Sequence, residues 1–200
     1  LTENKDLRYR ANLVKKDVNF ERKYQNGEQR ERDRILGSLV LDYNISENAL
    51  VSIHYDKTTD KTGLDTGAWL DEKGDVIGDD KLIHDMSWAF TDITVENIGI
   101  DFEVGLNEFW DLTVGYNEQS FSRQRFESSP TKPSGYKPGD SYESSPYDRY
   151  DDWQFKTAFV DFNGDFEFAG LGHQMLIGAN YLDYYYGQQK TNGEKFSYIP

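Results

Sequence analysis

Apolar and polar residues alternate with a period of two along most of the chain, which is the spacing of side chains on one face of a β-strand. Seven segments show it. In the first, Leu7, Tyr9, Ala11 and Leu13 share a face opposite Arg8, Arg10 and Asn12. The second sets Ile35, Gly37, Leu39, Leu41, Tyr43 and Ile45 against Leu36, Ser38, Val40, Asp42 and Asn44; the third sets Ala49, Val51, Ile53 and Tyr55 against Leu50, Ser52, His54 and Asp56. The clearest alternation is the fourth, with Ile98, Ile100, Phe102, Val104 and Leu106 facing away from Asn97, Gly99, Asp101, Glu103 and Gly105. The fifth carries Trp110, Leu112, Val114 and Tyr116, the sixth Ala158, Val160, Phe162, Phe166 and Phe168, and the seventh Met175, Ile177, Ala179 and Tyr181. In the sixth, Phe155 and Phe159 fall on the face of Asp161 and Asn163, so either that face is partly buried or a bulge shifts the phase. The predicted fold class is all-β, an antiparallel up-and-down meander of about seven strands.

The connections alternate between short and long. Ser46-Glu47-Asn48, Asn107-Glu108-Phe109 and Ala169-Gly170-Leu171-Gly172 suit tight antiparallel hairpins, whereas residues 15–33, 57–89 and 125–152 read as long polar loops. Compact soluble domains seldom carry loops beyond about 15 residues. An outer-membrane barrel does, with short turns at one rim, long loops at the other, and strands that turn an apolar stripe to lipid and a polar stripe to the lumen. Aromatic residues near strand ends (Tyr43, Tyr55, Phe109, Trp110, Tyr116, Trp153 and Tyr181) fit the girdles of such a barrel.

Composition narrows the choice. A net charge of −14 argues against a nucleic-acid partner. The absence of cysteine removes disulfides, thiolate metal sites and thiol catalysis. No run of about 18 apolar residues exists, which excludes a spanning helix but not a spanning strand of about 10. His54, His84 and His173 are far apart and no HExxH, GxSxG or P-loop spacing occurs, so no enzyme is expected. His173, entering a strand from a tight turn, reads as a turn hydrogen-bonder, and His84 as a solvated loop residue.

The segments Leu39-Val40-Leu41-Asp42-Tyr43-Asn44-Ile45-Ser46 and His173-Gln174-Met175-Leu176-Ile177-Gly178-Ala179-Asn180-Tyr181 resemble the barrel of TonB-dependent siderophore receptors. That resemblance implies a barrel of about 22 strands around an N-terminal plug. It further implies energisation by the TonB complex through a motif ahead of the plug, a ferric siderophore or similar metal chelate as ligand, and a lipid bilayer as surroundings, with no cofactor. Neither plug nor motif lies within residues 1–200, which read as one partial barrel domain. Leu1 and Pro200 both look like cuts. Seven strands do not close such a barrel, so two open sheet edges are expected, and with them a piece that does not stay a folded monomer in water. The Arg-Gly-hydrophobic-Pro run of many members is replaced by Gly63-Leu64-Asp65-Thr66-Gly67-Ala68, which leaves the ligand subclass open.

Two other readings survive on the residues alone, a plug-less porin-like barrel and a soluble acidic β-sandwich binding carbohydrate. For the receptor reading, the ligand-binding candidates in the long loops are Arg22, Tyr24, Trp69, Trp88, Tyr136, Tyr142 and Tyr147. Tyr and Trp present broad amphipathic faces at low entropic cost, although such rings equally pack loop against loop. The basic cluster Arg22, Lys23, Arg30, Arg32 and Arg34 either draws an anionic chelate or pairs with Glu21, Glu28, Glu31 and Asp33. Residues 71–80 carry carboxylates and glycines without calcium-loop spacing, and a small hairpin around Asp71-Glu72-Lys73-Gly74 explains them better.

Overall fold

The computed structural model describes residues 6–199. Leu1 and Pro200, where the two cuts were read, lie outside the described residues. In chain order the strands are β1 (Leu7–Tyr24), β2 (Gln29–Ser46), β3 (Ala49–Gly63), β4 (Leu82–Ile83), β5 (Phe90–Asn107), β6 (Trp110–Glu127), β7 (Pro130–Thr131), β8 (Tyr142–Ser144), β9 (Tyr147–Phe168), β10 (Leu171–Asn192) and β11 (Phe196–Tyr198). The seven long ones form one curled antiparallel sheet in the order β10-β9-β6-β5-β3-β2-β1, and β4 adds in parallel to the far edge of β1. A second, three-stranded sheet, β11-β8-β7, sits at the rim. The predicted meander is present, strand for strand.

The strands outrun the sequence pattern. Residues 15–33, expected to be a loop, instead continue β1 to Tyr24 and begin β2 at Gln29, leaving a tight turn that Gly27 closes at φ 83°. The reason is that beyond Val14 the face of Leu7 to Leu13 turns wholly polar (Lys15, Asp17, Asn19, Glu21, Lys23) while the other mixes Lys16 and Arg22 with Val18, Phe20 and Tyr24, so the alternation weakens and changes phase although the backbone still pairs, Lys15↔Ile35 through Asn19↔Glu31. A strand of 18 residues extends about 60 Å, roughly twice the thickness of a bilayer's hydrocarbon core. The connectors that remain long, residues 64–89 and 128–146, lie at the same end as the turn at 25–28, and the two-residue turns at 47–48, 108–109 and 169–170 lie at the other. At the last, Ala169 (φ 54°) and Gly170 (φ 76°) both take the left-handed conformation that a two-residue hairpin requires.

Register fixes the two faces. A polar row crosses all seven strands as Asn12↔Ser38↔Asp56↔Asn97↔Gln119↔Phe155↔Tyr184, and beside it, on the opposite face, runs Leu41↔Ile53↔Ile100↔Tyr116↔Ala158↔Tyr181. Within the polar row, Gln119 Nε2 donates to Asn97 Oδ1 at 2.7 Å and Asn97 Nδ2 to Asp56 Oδ2 at 2.8 Å. The β6–β9 and β9–β10 ladders run without a register shift, so Phe155 and Phe159 do belong to the polar face and no bulge intervenes. On the apolar face, the Trp110 ring lies flat over Gly164 of the paired strand, where a Cβ would find no room, and stacks on Phe162 at 4.6 Å. His173, expected to serve a turn, stacks on Phe166 on that same face at 5.3 Å.

The apolar stripe from Ile98 to Leu106 covers about 27 Å of strand, or about 20 Å of height at a tilt of about 40°. Ile98, Ile100 and Leu106 are exposed and Phe102 and Val104 half-buried, and among the described residues no second layer covers them. The β-sandwich reading fails on that point. The buried apolar side chains, Tyr24, Ile83, Met86, Ala89, Tyr136 and Tyr142, all sit at the long-loop rim.

Candidate functional site

At that rim the two long connectors fold into a cap with its own core. Residues 64–89 turn back over the polar face, and Asp85 organises them from a buried position. Its carboxylate accepts from Thr66 N (2.8 Å), Thr66 Oγ1 (2.9 Å) and Ser128 Oγ (2.8 Å), while Ser128 Oγ accepts from Met86 N (3.0 Å). Ser144 Oγ donates to Ser128 O at 2.6 Å and Tyr142 OH to His84 O at 2.9 Å, so both connectors share one polar centre. The expected hairpin is there: Leu70 pairs with Val76, and Gly74 takes φ 89°.

Three candidates meet in this cap. Trp69 stacks on His84 with centroids 3.7 Å apart, and meets Tyr136 (4.6 Å) and Tyr142 (5.0 Å) edge-on. His84 is therefore buried, not solvated as expected; burial and the nearby Arg22 guanidinium lower its pKa, and its Nδ1 has no protein partner. Burial likewise pushes the Tyr142 hydroxyl above its ordinary range and Tyr24 up to about 12.

Arg22 and Tyr24 stand at the top of β1, not in a loop, and tie the cap to the wall. Arg22 is ion-paired with Asp65 and donates from Nη2 to Leu82 O at 2.7 Å; Tyr24 OH donates to Leu64 O at 3.1 Å. Arg30 donates to Gly63 O at 2.8 Å, and Arg32 forms a two-pronged pair with Asp60. The partners of the basic cluster are thus Asp60 and Asp65, which the sequence reading did not consider. Tyr147 opens β9 with Lys190 Nζ 4.0 Å above its ring. Trp88 joins none of this; it leans on Phe126, whose ring contacts Phe90, on the apolar-face side of the strand tops.

Below the cap, the polar face of β6, β9 and β10 carries a cluster that sequence reasoning missed. Asp151, fully buried, accepts from Arg123 Nη2 (2.8 Å), Arg149 Nε (2.8 Å), Tyr186 OH (2.8 Å) and Gln188 Nε2 (3.1 Å). Burial opposes its charge, but those donors outweigh burial and hold its carboxyl well below the usual carboxylate range. One row lower, Phe121, Trp153 and Tyr186 are cross-strand partners in ring contact, at 4.9 Å and 4.8 Å, and Phe155 stacks on Tyr184 at 6.1 Å. Arg123 lies over the Trp153 ring at 5.3 Å. The one available signal was the phase conflict at Phe155 and Phe159, which placed rings on a polar face.

Charge changes sign along this wall. Toward the short turns the polar face presents Asp42, Asp56, Asp101, Glu103 and Asp161 against Arg8 and Arg10; toward the cap it gathers Arg22, Arg30, Arg32, Arg123, Arg125 and Arg149 against Asp60, Glu127 and Asp151. A chain of net charge −14 therefore concentrates its guanidinium groups at one mouth, beside a shelf of rings. The rings suit a planar ligand, while the guanidinium groups of Arg22, Arg32, Arg123, Arg125 and Arg149 already face Asp65, Asp60, Asp151 and Glu127 and would be shared with an anion.

No protein-family model matches the chain, and no curated protein matches it in sequence. Its structure superposes on BauA, the ferric preacinetobactin receptor of Acinetobacter baumannii, with a TM-score of 0.78 at 19% identity, over 96% of this chain and 28% of that one. It also superposes on the ferripyoverdine receptor of the outer membrane of Pseudomonas aeruginosa, solved with ferripyoverdine bound, with a TM-score of 0.81 at 13% identity, over 95% of this chain and 25% of that one. The fold is that of the outer-membrane siderophore receptors. A complex of the receptor FpvAI with pyocin S2 gives a TM-score of 0.81 at 13% identity over 95% of this chain and 24% of that one. The chain spans about a quarter of the length of these receptors. The resemblance to TonB-dependent siderophore receptors thus holds at the level of fold, and these neighbours are receptors, not enzymes. In such a barrel the polar face lines the lumen and the apolar face meets lipid.

Proposed function

We propose that this chain is part of the wall and outer mouth of a Gram-negative outer-membrane receptor that takes up a ferric siderophore or similar chelate. The observation that carries the reading is the polar-face shelf of Phe121, Trp153 and Tyr186 with Arg123 and Arg149, toward the end of the sheet that bears the folded cap. Rings offer faces to a chelate's planar arms, and guanidinium groups offset its negative charge. Of the seven rim candidates, Arg22, Tyr24, Trp69, Tyr136 and Tyr142 act by holding the cap in shape over the mouth, and Tyr147 borders the lumen. No bond is made or broken. Residues outside this segment complete the barrel, supply a plug in its lumen and couple it to the TonB complex.

The test is genetic and direct. In a strain with no redundant receptor, deleting the full-length gene is expected to abolish radiolabelled ferric-chelate uptake, and the R123A/W153A double variant to reduce it at least tenfold with normal surface display. Undiminished uptake in the deletion strain defeats the reading.

A further inference from the structure

The apolar stripe ends, on its cap side, at Tyr55, Tyr116 and Tyr181. Above them the same face turns polar, beginning with Lys57, whose Nζ bonds Glu96 at 2.5 Å, followed by Glu118, Lys156 and Asp183. From Tyr55 to Lys61 the strand climbs about 20 Å. If Tyr55 marks the lipid boundary, the tops of β2, β3 and β5 stand at the depth where the outer leaflet's glycolipids carry their sugars.

A groove of about 740 Å³ opens there, within the range of small-ligand sites of roughly 300–1,000 Å³. Its walls include Glu28, Glu31, Asp33, Lys61, Trp88 and Phe90. Glu31, Asp33, Lys61 and Phe90 share the strand face that lower down carries the lipid stripe, so the groove lies on the opposite side of the sheet from the aromatic–arginine shelf. Trp88 is 40% exposed and rests on Phe126 at 4.9 Å, which leaves part of its ring free. Asn26 Nδ2 holds the neighbouring Ser87 Oγ at 2.9 Å, so the segment bearing Trp88 is tied to the β1–β2 turn.

An exposed indole beside carboxylates matches a sugar ring, which offers a C–H face to the aromatic and hydroxyl groups to the acids. A protein partner would call for an apolar, charge-depleted centre, and this groove is predominantly polar. Its place on the same face as the lipid stripe, above the polar band that begins at Lys57, selects the source. We propose that the groove binds the core saccharide of an outer-leaflet glycolipid, with Trp88 stacked on a hexose and Glu31 and Asp33 accepting its hydroxyl groups. The proposal rests on the outer-membrane reading above.

The experiment titrates full-length receptor, purified in detergent and stripped of lipid, with deacylated core oligosaccharide of a rough-type lipopolysaccharide, followed by calorimetry; lipid A is titrated in parallel. Saturable oligosaccharide binding is expected, weakened about tenfold by Trp88→Ala and largely restored in Trp88→Phe. The E31Q/D33N variant, which leaves the ring packing untouched, is expected to weaken it as well. Lipid A binding is expected to be the same in all variants. No saturable binding of oligosaccharide, or binding that neither variant alters, overturns the proposal, as does a groove that takes only a protein partner. A receptor that imports chelate and ignores the oligosaccharide sinks this inference alone; one missing from the outer-membrane fraction sinks the parent reading too.

Discussion

The cap and the wall are built from the same chain by different rules. In the cap, side chains bury one another: Ile83, Asp85 and Ser128 are almost wholly hidden, and Thr66, Asp85 and Ser128 meet in one hydrogen-bonded network. In the wall, hydrogen-bonded ladders define the structure while the apolar side chains stay exposed within the chain. The cap therefore follows the energetics of a small soluble domain, whereas the wall leaves its apolar stripe uncovered within the chain, for lipid to cover on the proposed reading. Damage to one is expected to leave the other standing.

The largest effect is expected on the wall. Ile100→Arg puts a charge at mid-stripe and should cost up to about 4 kcal/mol of barrel stability in lipid, whereas Asp101→Asn, one residue on and facing the lumen, should cost little. Urea titration of the reconstituted full-length receptor reads both. Next comes the cap: Asp85→Ala strands the donors of Thr66 and Ser128 and should destabilise the cap by about 3 kcal/mol. Protease cleavage within residues 64–89 should rise sharply while the barrel keeps its heat-modifiable mobility on gels.

Asp151→Ala is expected to cost about 2 kcal/mol, less than a fully buried pair because Arg123 and Arg149 keep roughly a quarter of their side-chain surface in water. Its pH signature follows from the lowered carboxyl. The folded state holds the charge that an unfolded chain gives up near pH 4, so the contribution is complete above about pH 4 and fades as pH falls toward the folded value. Unfolding midpoints of wild type and variant should converge in acid. The smallest effect belongs to His84, whose pKa is lowered by burial. Above about pH 6.5 both states are neutral and nothing is lost; below it the opened cap takes a proton that the closed cap resists. Cap proteolysis should therefore increase on mild acidification, and in His84→Phe, which keeps a ring against Trp69, it should stay flat across that range.

The wall was legible where one face is uniformly apolar and imposes a period of two, as at Ile98 to Leu106, and went unread where the apolar positions thin out and change face, as in β1 beyond Val14. The hairpin at Gly74 was legible because turn chemistry is local. The cap's polar centre was not, because Thr66, Asp85, Ser128 and Ser144 come from distant stretches whose meeting depends on how two connectors fold. Asp151 was hidden for a related reason: it sits in Tyr150-Asp151-Asp152, and only strand register shows which of the two acids faces the arginines.

The short strand β4 has a bearing on assembly. By lying alongside Lys23 and Tyr24, with Lys23 N bonded to Lys81 O at 2.9 Å, it occupies the upper end of a margin that is otherwise open from Leu7 onward. A neighbour zipping up that margin from the short-turn side meets a stop about a turn's width below the summit, whereas the margin formed by β10 offers its whole length. The two sides of this ribbon are thus unequal docks, and β4 marks one of them.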